Sequence, residues 1–187
     1  MHSIPNYLTW GRIILIPVFV IVYYLPFKWA NEMTALIFML AGFTDWLDGY
    51  LARKWKQTTA FGAFLDPVAD KLMVAVALIL LVQSNPSMLF AIPACIIVGR
   101  EIAVSSLREW MAEIGERAAV AVSTMGKMKT MVQMAALLLL LYRDDLGDFP
   151  THDVGLVLLY IAAILTLWSM LVYMKAAWPL LVKTRAN

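Results

Sequence analysis

Residues 45 to 70 read D-W-L-D-G-Y-L-A-R-K-W-K-Q-T-T-A-F-G-A-F-L-D-P-V-A-D. Apolar runs flank this stretch, A-L-I-F-M-L-A-G-F at 35–43 before it and L-M-V-A-V-A-L-I-L-L-V at 72–82 after it. A carboxylate inside hydrocarbon costs roughly 2.5 to 3.5 kcal/mol on insertion scales, so Asp45, Asp48, Asp66 and Asp70 need compensating cations or water. Asp45 and Asp48 are three residues apart and Asp66 and Asp70 four apart, spacings that put each pair on one face of a helix. Two such faces on neighbouring helices can share divalent cations, and an all-oxygen donor set favours Mg²⁺ or Mn²⁺ over zinc. The segment from Ala52 to Leu65, with its basic residues, Gln57, Thr58, Thr59 and Gly62, is expected to be a short cytoplasmic turn joining antiparallel helices. Gly49 and Ala52 keep the helix surface shallow enough for a planar group, and Arg53 can reach phosphate oxygens in a bidentate fork.

Outward from this stretch the chain is membrane-grade. Of its 187 residues 62% are hydrophobic and 15% charged, with a mean hydropathy of +0.76, outside the range of soluble domains. Measured against the roughly 20 residues a helix needs to cross hydrocarbon, the apolar runs predict an all-α, polytopic bundle of six transmembrane helices. The spans are expected at Ile13–Leu25, Met33–Trp55, Asp66–Gln83, Met88–Met111, Gly126–Tyr142 and Val154–Tyr173. Ile4–Arg12 is expected as an N-terminal interfacial segment, since Pro5, Asn6 and Arg12 suit a membrane surface. The first run is followed by Pro26, Phe27 and Lys28, not by a small-residue cleavage site, so it is expected to be retained. With no repeat and no long linker, residues 1–187 are expected to form a single domain.

Positive residues stay cytoplasmic. Arg12, then Arg53, Lys54 and Lys56, then Arg108, Arg117, Lys127 and Lys129, then Lys175, Lys183 and Arg185 fall on one side, and Lys28 and Arg143 on the other. Both termini and the aspartates are therefore expected to face the cytoplasm.

The pattern D-x-x-D-G-x-x-A-R-x₈-G-x₃-D-x₃-D resembles the signature of the CDP-alcohol phosphotransferases, without gap or substitution. The stretches P-N-Y-L-T-W-G-R near the start, F-L-D-P-V-A-D-K at Phe64 to Lys71, and R-E-I-A-V-S-S-L-R-E-W at Arg100 to Trp110 are most similar to the bacterial branch that forms phosphatidylglycerophosphate. The resemblance implies a phosphatidyltransferase of the bacterial inner membrane that joins CDP-diacylglycerol to sn-glycerol 3-phosphate and releases CMP. It makes Asp45, Asp48 and Asp66 ligands of two cations, with Asp70 a further ligand and the base for the acceptor hydroxyl. Gly49, Ala52, Arg53 and Thr59 would lie against the CDP moiety, with Asn6 and Thr9 closing over it. Membrane lipids and a second copy of the chain, as a homodimer, are the expected partners, and no nucleic acid is.

The acceptor must be read elsewhere than in the shared signature. Arg100 stands within the fourth span, Arg108 is two helical turns later on roughly the same face, and Arg117, Lys127 and Lys129 belong to the same cytoplasmic side. An anionic acceptor needs such a cationic cradle, whereas a choline-like one needs aromatic faces or acids. The plainer alternative is that these bases satisfy orientation or pair with Glu101, Glu109, Glu113 and Glu116. Enzymes of the same family making phosphatidylinositol phosphate or cardiolipin remain a second reading. A divalent-cation transporter is a third, weakened because Arg53 in a cation path would repel the cargo. His2 and His152 lack companion nitrogen or sulfur ligands and are not assigned to metal. Cys95 is expected as a packing residue, Met125, Met128, Met131 and Met134 as a lipid-facing or packing stripe, and the tryptophans as an interfacial belt.

Overall fold

A computed structural model describes residues 4–55, 60–115 and 124–183, with side chains throughout except at 4–9, 46, 48–53, 55, 60–64, 66, 124–125, 127 and 180–183. The described chain is helical: α1 Ile4–Tyr24, α2 Ala30–Trp55, α3 Ala60–Ser84, α4 Met88–Glu113, α5 Thr124–Tyr142 and α6 Thr151–Lys183. A 26-residue helix such as α4 is about 39 Å long at 1.5 Å per residue, longer than the roughly 30 Å thickness of a bilayer's hydrocarbon core. Among the described residues Pro67–Ser84, Met88–Glu113 and Thr151–Pro179 are long and apolar enough to cross a membrane, and Trp10–Tyr24 and Met128–Tyr142 are shorter apolar helical stretches. Ile14, Ile79, Met131 and Ile164 are each more than 60% exposed, the outward-facing apolar surface that lipid, not water, accommodates.

Three expectations from the sequence change here. Ile4 to Tyr24 is one unbroken helix, and Arg12, expected at a membrane surface, is buried. α3 begins at Ala60, six residues ahead of the expected span, because a helix does not end where its apolar run does. Pro67 sits inside α3, where its missing N–H leaves one carbonyl of the preceding turn without its helical donor. Cys95 is exposed and not a packing residue, since an apolar run in a membrane helix carries no polarity contrast to tell its outer face from its inner one.

The chain divides into two compact units, Met1–Asn85 with Leu137–Gly155, and Pro86–Ala136 with Leu156–Asn187. In the first unit α1 packs against both α2 and α3. The connection from Leu25 to Trp29 is short, which makes α1 and α2 antiparallel neighbours. Ala30, Ala35, Ala41, Ala69 and Ala77 are buried, and such small residues let helix backbones approach closely. Phe19 and Phe38 fill the space between, with ring centroids 6.2 Å apart. At the other end of this unit from Arg12, the Tyr23 hydroxyl donates to the Leu80 carbonyl at 2.9 Å. Arg143 lies over the Tyr23 ring at 4.2 Å and donates to Ser84 Oγ at 2.9 Å. Arg143 has φ 63°, the left-handed conformation that commonly ends a helix and is usually given to glycine; its side-chain contacts help hold it there. In the second unit Val104 and Met111 of α4 pack with Tyr173 and Ala177 of α6, flanked by Leu107, Trp110 and Met170.

Candidate active site

α1, α2 and α3 each send one charged side chain to a common point. Arg12 Nη1 lies 2.7 Å from Asp70 Oδ1 and 3.1 Å from Asp45 Oδ1. The guanidinium is 1% exposed, while the two carboxylates keep 40% and 41% of their side-chain surface open. The cation thus lies on the protein side of the acids, and the acids present an accessible face. One nitrogen within hydrogen-bond reach of two carboxylates forces those carboxylates to close quarters, where without a cation they would repel. Removing one partner of a fully buried pair costs about 3 to 5 kcal/mol, chiefly because the other charge is left uncompensated.

Sequence reasoning placed the acids of α2 and α3 on facing helix surfaces, and Asp45 and Asp70 do meet. Arg12, which it did not assign to the site, is the residue that joins them. The signal was present, because Arg12 closes the P-N-Y-L-T-W-G-R stretch. Asp48 follows Asp45 by three residues on α2, and Asp66 precedes Asp70 by four on α3, so each stands one turn away along the same helix. The side chains of Asp48 and Asp66 lie outside the description, as do those of Asn6 and Thr9 on α1 and of Ala52 and Arg53 on α2; Gly49 is on α2 between Asp48 and Ala52, and Thr59 lies outside the described residues. Among the described residues no three acids, histidines or cysteines form a metal-sized group. The described part of the donor set is nevertheless suited to a hard divalent cation. It consists of carboxylate oxygens only, drawn from two helices to one point with an open face on the side away from Arg12.

A second charged cluster is internal to the other unit. Glu101 Oε1 accepts from Arg100 Nη1 at 3.0 Å and from Lys129 Nζ. Arg100 Nη2 donates to Ser169 Oγ of α6 at 2.8 Å, and its guanidinium stands 5.7 Å from the centre of the Tyr173 ring. Lys129 is 4% exposed, Arg100 10% and Glu101 23%. Two of the bases expected to hold an anionic acceptor, Arg100 and Lys129, are therefore brought together, with Glu101 clamped between them. Among the described residues, two cations and one carboxylate leave one positive charge in excess in this cluster. Arg108 is exposed further along α4, Arg117 lies outside the described residues, and the Lys127 side chain is not described.

A sequence model described as CDP-alcohol phosphatidyltransferase matches residues 2–168, a span that holds Arg12, the four aspartates and the Arg100–Glu101–Lys129 cluster. The chain belongs to the CDP-alcohol phosphatidyltransferase family. It is accordingly an enzyme, a phosphatidyltransferase. The chain is 58% identical over 179 residues to a protein of Yersinia pestis (strain Pestoides F) named CDP-diacylglycerol--glycerol-3-phosphate 3-phosphatidyltransferase, covering 94% of this chain and 95% of the relative. Relatives of the same name from Sodalis glossinidius and Salmonella paratyphi A are 57% and 54% identical, each over 94% of both chains. Membership of this CDP-alcohol phosphatidyltransferase family removes the support for a cation transporter.

Proposed function

We propose that this chain transfers the phosphatidyl group from CDP-diacylglycerol to sn-glycerol 3-phosphate, giving phosphatidylglycerophosphate and CMP. The observation that carries the reading is the 58% identity, across 94% of the chain, to relatives bearing the name of that reaction. The excess positive charge at Arg100 and Lys129 supports it against neutral or cationic acceptors, because an anionic phosphate is the group such a cluster favours.

The acids are assigned as the sequence suggests. Asp45, Asp48, Asp66 and Asp70 would hold two Mg²⁺ or Mn²⁺ ions, which when bound neutralise charge on the attacking and leaving oxygens of an in-line displacement. Asp70 takes the proton of the acceptor hydroxyl as its oxygen bonds to the phosphorus carrying diacylglycerol. The bond from that phosphorus to the CMP oxygen breaks, and CMP leaves with the electron pair. Arg12, behind the acids, offsets the repulsion between Asp45 and Asp70 and orients both. Gly49, Ala52, Arg53, Thr59, Asn6 and Thr9 receive the CMP portion of the donor, and Arg100, Arg108, Arg117, Lys127 and Lys129 draw in the acceptor phosphate.

All six helices cross the bacterial inner membrane, with the start of α1 at its surface and the acids and both termini cytoplasmic. Residues 1–187 act as one domain, a reading supported by a family match that runs through both compact units. The homodimer rests on the family resemblance.

Purified protein supplied with Mg²⁺ or Mn²⁺ should release CMP from CDP-diacylglycerol only when sn-glycerol 3-phosphate is present. Equal turnover with inositol phosphate, or none with glycerol 3-phosphate, would overturn the assignment.

A further inference from the structure

The ion cluster of the second unit is bordered by polar atoms whose hydrogen-bonding needs the described residues do not meet. Arg100 Nε, Gln133 Oε1 and Thr166 Oγ1 are buried and have no hydrogen-bond partner among the described residues. They come from three different helices, α4, α5 and α6. Gln133 is 4% exposed and Thr166 0%, so bulk water does not serve them. Gln133 follows Lys129 by four residues, and Thr166 precedes Ser169 by three. These spacings set each beside a side chain that belongs to the cluster: Lys129 donates to Glu101, and Ser169 accepts from Arg100. Buried polar groups are nearly always paired, and an orphan costs the full desolvation of its group. Three around one cluster point to an occupant.

The chemistry of that occupant can be read from what is unmet. One positive charge is in excess among the described residues, which calls for an anion. The Arg100 Nε–H calls for an acceptor, the Gln133 carbonyl oxygen for a donor, and the Thr166 hydroxyl for either. A fully ionised inorganic anion supplies no donor for Gln133, and a polyol supplies no charge. A hydroxylated phosphate ester supplies both.

We infer that Gln133 and Thr166 bind the central, non-attacking hydroxyl of the acceptor polyol phosphate whose phosphate is held by Arg100 and Lys129, and so set the enzyme's preference for a hydroxylated acceptor. Glu101 is the positioning residue that keeps the two cations side by side. The inference rests on the acceptor reading above and adds residues to it. A site built to hydrogen-bond a hydroxyl discriminates strongly against the analogue that lacks it, because the buried partner is then left unpaired.

The test compares sn-glycerol 3-phosphate with 3-hydroxypropyl phosphate, which keeps the attacking primary hydroxyl and lacks the central one. CMP release is followed in uncharged detergent for the full-length wild type, Gln133→Leu and Thr166→Val. Both variants exchange a buried polar group for an apolar one of similar volume, and thermal unfolding checks that they remain folded. Wild type should favour glycerol 3-phosphate in kcat/KM by about tenfold or more. Each variant should raise KM for glycerol 3-phosphate about tenfold, leave that for CDP-diacylglycerol within about twofold, and bring the preference toward unity. Variants that keep the wild-type KM and preference would overturn the inference, leaving the orphaned atoms to buried water. A wild-type preference near unity would overturn it without any variant. Turnover of neither acceptor by wild type would instead remove the acceptor reading on which it rests. A phosphatidylglycerol head group carries the same glycerol phosphate chemistry, so the assay is repeated with that lipid added. Competition with glycerol 3-phosphate that is lost in both variants would reassign these residues to lipid and overturn the inference.

Discussion

At the scale of single residues, Arg12 stands out because it is a buried cation that pairs with Asp45 and Asp70, acids tens of residues away on two other helices. The P-N-Y-L-T-W-G-R stretch marks Arg12, but nothing local to it names its partners. A lone arginine ahead of an apolar run reads as a surface anchor, and only the fold reveals acids waiting for it. Arg12→Leu should therefore lower the stability of metal-free protein by on the order of 2 kcal/mol, below the ~3 to 5 of a fully buried pair because both carboxylates remain partly solvated. Mn²⁺ should restore part of that loss, since it supplies the charge the acids have lost. Thermal unfolding in detergent, with and without Mn²⁺, should show a larger rise in midpoint for the variant than for wild type; an equal rise would mean that Arg12 and the metal do not share the acids. Glu101 was legible only as one of several possible partners for the bases, because helical spacing cannot say which acid lies between Arg100 and Lys129.

At the scale of helices, existence was legible and ends were not. The six helices of the described residues overlap the apolar runs, and three of them, α3, α4 and α6, carry stretches long and apolar enough to cross a membrane, where few alternatives to a helix exist. The start of α3 at Ala60 and the unbroken course of α1 were obscured because hydropathy reports where hydrocarbon begins, whereas backbone hydrogen bonding carries the helix on past it. The packing of one helix on another was less legible still, and Gly155 shows why. It opens α6 against the end of α5, where an added Cβ would lie 2.9 Å from Leu140 Cγ, 3.1 Å from Leu140 Cδ2 and 3.2 Å from Leu139 Cβ. The nearest atom is the branch carbon of a buried leucine and cannot swing away. Gly155→Val should cost about 1 to 3 kcal/mol of stability through overpacking. At Gly99, in α4, an added Cβ meets nothing within 4 Å, so Gly99→Ala should be neutral or stabilise by up to about 1 kcal/mol through helix propensity. Thermal midpoints of the two variants, measured side by side, should move apart; a shared shift would show that the α5–α6 contact is not close.

At the scale of the whole molecule, the charge pattern has to place the acids on the side where a water-soluble acceptor and the nucleotide head of the lipid donor meet them. Lys28 and Arg143 are the only bases assigned to the outer side, and Arg143 shares its turn with Asp144, Asp145 and Asp148. That turn is held by its own contacts: the Thr151 hydroxyl donates to the Asp144 carbonyl at 2.6 Å, and the Thr151 amide to Asp145 Oδ1 at 3.1 Å. Its acids are thus partly engaged in ending α5 and starting α6, which leaves the density of Lys and Arg near the helix ends as the feature that sets orientation. A green fluorescent reporter fused after Asn187 should fluoresce, and alkaline phosphatase inserted at Gly147 should be active while the same enzyme after Asn187 is not. Active phosphatase at the C-terminus would put the aspartates on the outer side, away from cytoplasmic glycerol 3-phosphate. The charge count and the proposed reaction would then fail together, since an anionic acceptor that does not cross hydrocarbon unaided must meet its base on the face from which it is supplied.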